Sequence, residues 1–171
     1  MLFVNLRADL EAKRRLYSQY GASYSMLRTL LTDGTSANVL YRTQEWLASR
    51  LGKVAGLPPH VLNKWFNGCV IGIGARFEPG FVLIHPIGVV INASVRGGRD
   101  VWLESSVVIG DNRGGSPVLG QGVFVGSGAK VIGPVTVGDG ARIGANAVVL
   151  KDVPVGATAV GIPAQIKLPK A

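Results

Sequence analysis

Two histidines are the only side chains in this 171-residue chain that ordinarily titrate close to neutrality, so proton transfer, if the chain performs any, falls to them first. His85 stands in the run Leu83-Ile84-His85-Pro86-Ile87-Gly88-Val89-Val90-Ile91-Asn92, and His60 directly follows Pro58-Pro59. The prolines mark His60 as a solvated linker residue. A three-histidine zinc centre would need ligands the chain does not have, so no metal is expected. The single cysteine, Cys69, excludes an internal disulfide framework. A second polar group is Asp111-Asn112-Arg113-Gly114-Gly115-Ser116-Pro117, joined by Asn92. These residue types make hydroxyl and amide contacts to a ligand, and they are equally the types that form turns and cap loops.

The elements carrying these residues have two different periods. Residues 1–66 read as helices. Leu6, Leu10, Arg14 and Tyr17 keep helical spacing up to Gly21, and Ser25–Leu31 forms a short helix before an Asp33-Gly34 turn. Ser36 to Leu51 forms a third helix, with Ser36 as its cap, and Gly56-Leu57-Pro58-Pro59 breaks the pattern. All the tyrosines and tryptophans except Trp102 lie in this half, which reads as a packing and oligomerisation element.

From Val70 the period is six. Ile71, Phe77, Leu83, Val89, Val95, Val101, Val107, Arg113, Leu119, Val125, Val131, Val137, Ile143, Val149 and Val155 fall on one beat, and Arg113 alone is not apolar. Neither a helix nor a flat strand has that period. Short strands joined by tight corners into a three-sided coil do, with the large residue inward and small residues at the corners. Fifteen six-residue sides give about five coils. The polar stretch at 111–118 reads as a loop leaving the column, with the phase resuming at Leu119 as though one side had been replaced. A domain boundary between 66 and 67 follows.

Composition agrees with a coil of small and branched residues: 24 glycines, 16% charged residues and a mean hydropathy of +0.32. No apolar run approaches the ~18 residues of a membrane span. The early Arg7, Asp9 and Glu11 interrupt any signal-peptide pattern, so a cytoplasmic setting is expected. The net charge of +8 favours anionic partners. The cations are dispersed and not interleaved with aromatics, which argues against a nucleic-acid platform and for a phosphate-bearing cofactor.

The run from Leu83 to Asn92, Gly126-Ser127-Gly128-Ala129-Lys130-Val131-Ile132-Gly133, and the final Asp152 to Ala164 segment together resemble the hexapeptide-repeat acetyltransferases. The likeness is to serine acetyltransferases and their polysaccharide-cluster relatives. It spans residues 68–167 and extends weakly into Met26–Leu47. It implies a left-handed parallel β-helix, a homotrimer or a dimer of trimers paired through the helices, and acetyl-CoA lying between two columns. It implies His85 as the base that takes a proton from the acceptor hydroxyl, and Gly126, Ser127, Ala145, Thr158 and Lys167 along the acetyl-CoA groove, Lys167 meeting a phosphate.

The departures from the pattern concern the acceptor. The family aspartate that orients the histidine is Val70 here, the aspartate before the histidine is Ile84, and the Arg-His pair of the loop is Gly115-Ser116. A zwitterionic amino acid thus loses its charged partners. The resemblance leans instead toward colanic-acid and exopolysaccharide O-acetyltransferases, whose sugar acceptors need no ion pair. Asn92, Asp111, Asn112, Arg113 and Ser116 are the acceptor candidates. Serine O-acetylation and a non-catalytic scaffold are the alternatives. Glu104, Asp111 or a backbone carbonyl is left to orient His85.

Overall fold

The computed structural model describes residues 2–19, 21, 24–112 and 114–169. Helices α1 (Leu2–Gln19), α2 (Met26–Leu30), α3 (Thr35–Leu51) and α4 (Leu57–Asn67) precede a column of short strands. The helix α4 lies where the prolines suggested a break. Pro58 and Pro59 sit in its first turn, where their missing N–H groups have no intrahelical partner to lose. Nor does Ser36 cap α3: the helix starts at Thr35 behind Gly34, and the Ser36 hydroxyl donates to Asn67 Oδ1 at 2.6 Å.

The strands stack into three sheets, parallel except for the last strand. The first face holds Val70–Ile71, Val90–Ile91, Val108–Gly110, Lys130–Ile132 and Val148–Val149. The second holds Arg76–Phe77, Arg96–Gly97, Val118–Leu119 and Thr136–Val137, extended by a bridge from Val137 to Val153. The third runs from Val82–Leu83 through Trp102–Leu103, Phe124–Val125 and Arg142–Ile143 to Thr158–Val160. Gln165–Lys167 closes it in antiparallel sense. Four full turns separate Ile71 from Val149, and a shortened fifth coil follows. Among the described residues no helix is long and apolar enough to cross a membrane.

The six-residue beat is real, but its phase slips twice. Leu83 to Ile91 spans eight positions, two too many, and Ile109 to Leu119 spans ten, four too many. The two excesses sum to six, so the beat returns in step without any side being replaced. Between the slips the counted residues Val89, Val95, Val101 and Val107 sit two places ahead of the strand centres. They are still buried, because each side turns two residues inward. At the far end the spacing shortens and Val155 is left 69% exposed.

The helical half caps the open end of this column. A first coil presents unpaired backbone groups that burial would otherwise leave unsatisfied. Asn38 answers like a strand, donating to Phe81 O at 2.8 Å and accepting from Leu83 N at 2.9 Å. Gly80 N and Phe81 N donate to Asp9 Oδ1, Arg42 donates to the carbonyls of Phe77 and Glu78, and Gln44 to that of Ile71. His60 is therefore no linker residue: its Nδ1 lies 3.0 Å from Ile71 O. Burial raises the pKa of the Asp9 carboxyl against the pull of Arg42 and the two amides. For Arg42 burial pulls the pKa down, but the hydrogen bonds and charge of Asp9, with Tyr41 and Glu45 adding to them, raise it on balance, so the guanidinium stays charged.

Candidate active site

His85 occupies the corner where the third face turns into the first. The chain leaves the buried Leu83, and the two extra residues of this turn lift the imidazole clear, leaving its side chain 52% exposed. Facing it across a hollow of about 420 Å³ is the α2–α3 turn. The hollow is lined by Leu31, Asp33, Ser36, Phe66, Asn67 and Ile87.

Asp33 Oδ2 stands 3.4 Å from His85 Nδ1. The carboxylate beside the imidazole is thus neither Glu104 nor Asp111 but Asp33, which the sequence offered only as half of a turn dipeptide. Three contacts fix that turn. Gly34 adopts φ +77°, and a Cβ there would fall 1.9 Å from Leu83 O, so only glycine fits against the strand. The buried Lys13 ammonium donates to the Asp33 carbonyl and to Thr35 Oγ1. Burial pulls the Lys13 pKa down to about 8, against the attraction of Asp33.

The turns above His85 stack along one vertical edge: Ser106 N bonds Ile87 O, Gly128 N bonds Ser105 O and Asn146 N bonds Ser127 O, at 2.8–2.9 Å. Gly126, Ser127 and Ala145 lie on this edge. Gly126 is glycine for another reason as well, since a Cβ would meet Ala145 N at 2.8 Å in the next coil. Thr158 and Lys167 pair with each other at the end of the third face. Small side chains along the edge and Lys167 near its end suit an extended amide chain with a phosphate. Among the described residues no histidine, cysteine and carboxylate cluster could hold a metal ion.

The acceptor candidates lie elsewhere. Asn92 and the 111–118 loop leave the opposite edge of the first face, so within one chain they do not meet His85. Asn92 Oδ1 accepts from Ser94 N at 2.9 Å and Ser116 Oγ approaches it at 3.4 Å, while Asn112 and Gly115 form a small antiparallel bridge. These side chains hold the loop base together. Asp111 is exposed, and Arg113 lies outside the described residues.

One exposed imidazole beside a carboxylate, on an edge of small residues in a parallel β-helix, defines a hexapeptide-repeat transferase. Residues 116–151 match the family described as bacterial transferase hexapeptide (six repeats). A serine acetyltransferase of Synechococcus elongatus is 36% identical over 171 residues, covering 96% of this chain and 68% of the relative. One from Helicobacter pylori is 40% identical over 140 residues, covering 80% and 82%. The solved structure of a serine acetyltransferase in complex with CoA superposes with a TM-score of 0.88 at 29% identity, covering 97% of this chain and 69% of that one. The chain belongs to the hexapeptide-repeat acetyltransferase family and has serine acetyltransferases as homologues. Its parallel sheets agree with the family's left-handed β-helix. The expected leaning toward colanic-acid and exopolysaccharide enzymes is not what these relatives support.

Proposed function

We propose that this acetyltransferase moves the acetyl group of acetyl-CoA to an acceptor hydroxyl, with His85 as general base and Asp33 as its positioning residue. The observation that carries this reading is the carboxylate on the Nδ1 side of an exposed imidazole. A proton on Nδ1 faces Asp33, which leaves the Nε2 lone pair free to accept the hydroxyl proton. The acceptor oxygen bonds to the thioester carbonyl carbon, the carbon–sulfur bond breaks, and the imidazolium returns its proton to the departing thiolate. Gly126, Ser127 and Ala145 would take the pantetheine arm, with Thr158 beyond them and Lys167 toward a phosphate. Acetyl-CoA as donor fits a cytoplasmic setting.

L-Serine is the acceptor the homologues support best. A second reading, a neutral hydroxyl acceptor such as a sugar, rests on one observation. The hollow before His85 is lined by no cation among the described residues, and Ile84, only 6% exposed, fills the position before the histidine. Asn92 and the loop reach a His85 hollow only from a neighbouring copy. The outward valines of the first face, Val70, Val90, Val108 and Val148, support packing as a trimer.

Release of CoA from acetyl-CoA, measured with L-serine and with neutral sugars as acceptors, tests the reading. Turnover with serine decides for the first acceptor class, and turnover with sugars alone for the second. His85→Ala is expected to lower turnover by roughly 10²-fold or more with the fold intact. Unchanged turnover in that variant, or no CoA binding and no turnover with any acceptor, overturns the proposal.

A further inference from the structure

The second face carries an arrangement that acetyl transfer does not use. Arg76 and Arg96 occupy directly paired positions on neighbouring strands, where like charges repel unless something lies between them. Nearby carboxylates neutralise most of the local cations. Asp9 and Glu45 hold Arg42, Glu45 also stands 3.6 Å from Arg76, and Glu78 stands 3.5 Å from Arg99. Arg96 meets no carboxylate among the described residues. Only its Nη1 is engaged, by the carbonyls of Gly74 at 3.0 Å, Val95 at 2.8 Å and Ala93 at 3.5 Å. Nη1 of Arg76 is the atom that faces Glu45 at 3.6 Å; it is buried and makes no hydrogen bond, while the Arg76 side chain as a whole is 42% exposed.

Both arginines line a cavity of about 510 Å³ between the helical cap and the column, with Leu2, Trp46 and Pro79 as apolar walls; Glu45 and Glu78 line it too, and these carboxylates are already paired with Arg42, Arg76 and Arg99. That volume falls in the range of small-molecule sites, roughly 300–1,000 Å³. The His85 hollow shares no lining residue with it. We infer that this cavity binds a small organic anion, a carboxylate or phosphate on a ring-sized apolar body. The anion lies between Arg76 and Arg96, and the body rests against Trp46 and Leu2. A planar guanidinium with free N–H groups matches such an anion in fork geometry. Bound there, it screens the repulsion between the two guanidiniums and offsets the surplus charge of Arg96.

Titration calorimetry on the full chain with phenyl phosphate, benzoate, inorganic phosphate and benzyl alcohol tests the site. At least one aromatic anion is expected to bind, inorganic phosphate at least about 10-fold more weakly, and benzyl alcohol not measurably. Arg76→Gln and Arg96→Gln should each weaken binding by about 10-fold or more. His85→Ala should leave it unchanged, which separates this site from the acetyl-transfer site. The inference is overturned if neither aromatic anion binds at millimolar concentration, if inorganic phosphate binds as tightly, or if both arginine variants bind like the parent. Binding that disappears in His85→Ala also overturns it.

Discussion

At the scale of single residues, the proposed chemistry depends on a carboxylate and an imidazole contributed by elements far apart in sequence. Asp33 reaches His85 from the α2–α3 turn, at 3.4 Å. Asp33→Asn should lower kcat about 10-fold while leaving the KM for acetyl-CoA unchanged, and Asp33→Glu should recover part of the loss. A rise in KM alone would mean that Asp33 binds substrate instead. Lys13 provides a separate test of the same turn. Its pKa falls from 10.5 in the unfolded chain to about 8 in the fold because it is buried. Between those values the unfolded chain binds more protons, so stability rises with pH through that window, and below pH 8 the full cost of burying the charge is present. Measured by urea unfolding, the difference between Lys13→Met and the parent should move in the parent's favour from pH 8 to 10.5. A difference that stays constant would show that the ammonium is not the source.

At the scale of elements, the helices act as a lid of side-chain strand mimics. Asn38→Ala would leave Phe81 O and Leu83 N without partners, and each such buried group costs about 1–3 kcal/mol. A loss of about 2–4 kcal/mol in denaturant unfolding is expected; a loss under about 0.5 kcal/mol would remove Asn38 from the cap. The loop at the opposite edge has the reverse character. Ile109 and Leu119 are separated by four residues more than one side requires, and Asp111 and Asn112 are exposed. Excising residues 111–114 restores the six-residue step, and the melting temperature should move by only a few degrees. Collapse of the fold would show that the loop is part of the column.

At the scale of the whole molecule, the column needs its lid. Without residues 1–66 the first coil exposes three strand edges and the faces of Phe77 and Phe81, a template for edge-to-edge aggregation. The truncated chain is expected to be insoluble or aggregated by size-exclusion chromatography. A monodisperse product with native far-UV circular dichroism would show that the column stands alone. The other end is closed differently, by the antiparallel strand Gln165–Lys167 lying on Thr158–Val160.

The sequence by itself determined the repeating column, its six-residue step, the inward valines and isoleucines and the helical character of the first half, and it singled out His85. These are local properties: a period and a corner recur every few residues and leave their mark on composition. Only the tertiary structure decided what the first half is for. Asn38, Asp9, Gln44 and His60 look like ordinary helix-surface polars until the first coil's unpaired amides and carbonyls are set against them. The phase slips leave no mark on the count, because an excess of two and an excess of four add up to one full step. Asp33 carries no sequence mark of its place beside His85, since their meeting depends on Gly34 allowing a backbone approach that no local pattern encodes. Distance between charges belongs to the folded chain, and the Asp33–His85 pair and the Arg76–Arg96 cavity both arise there.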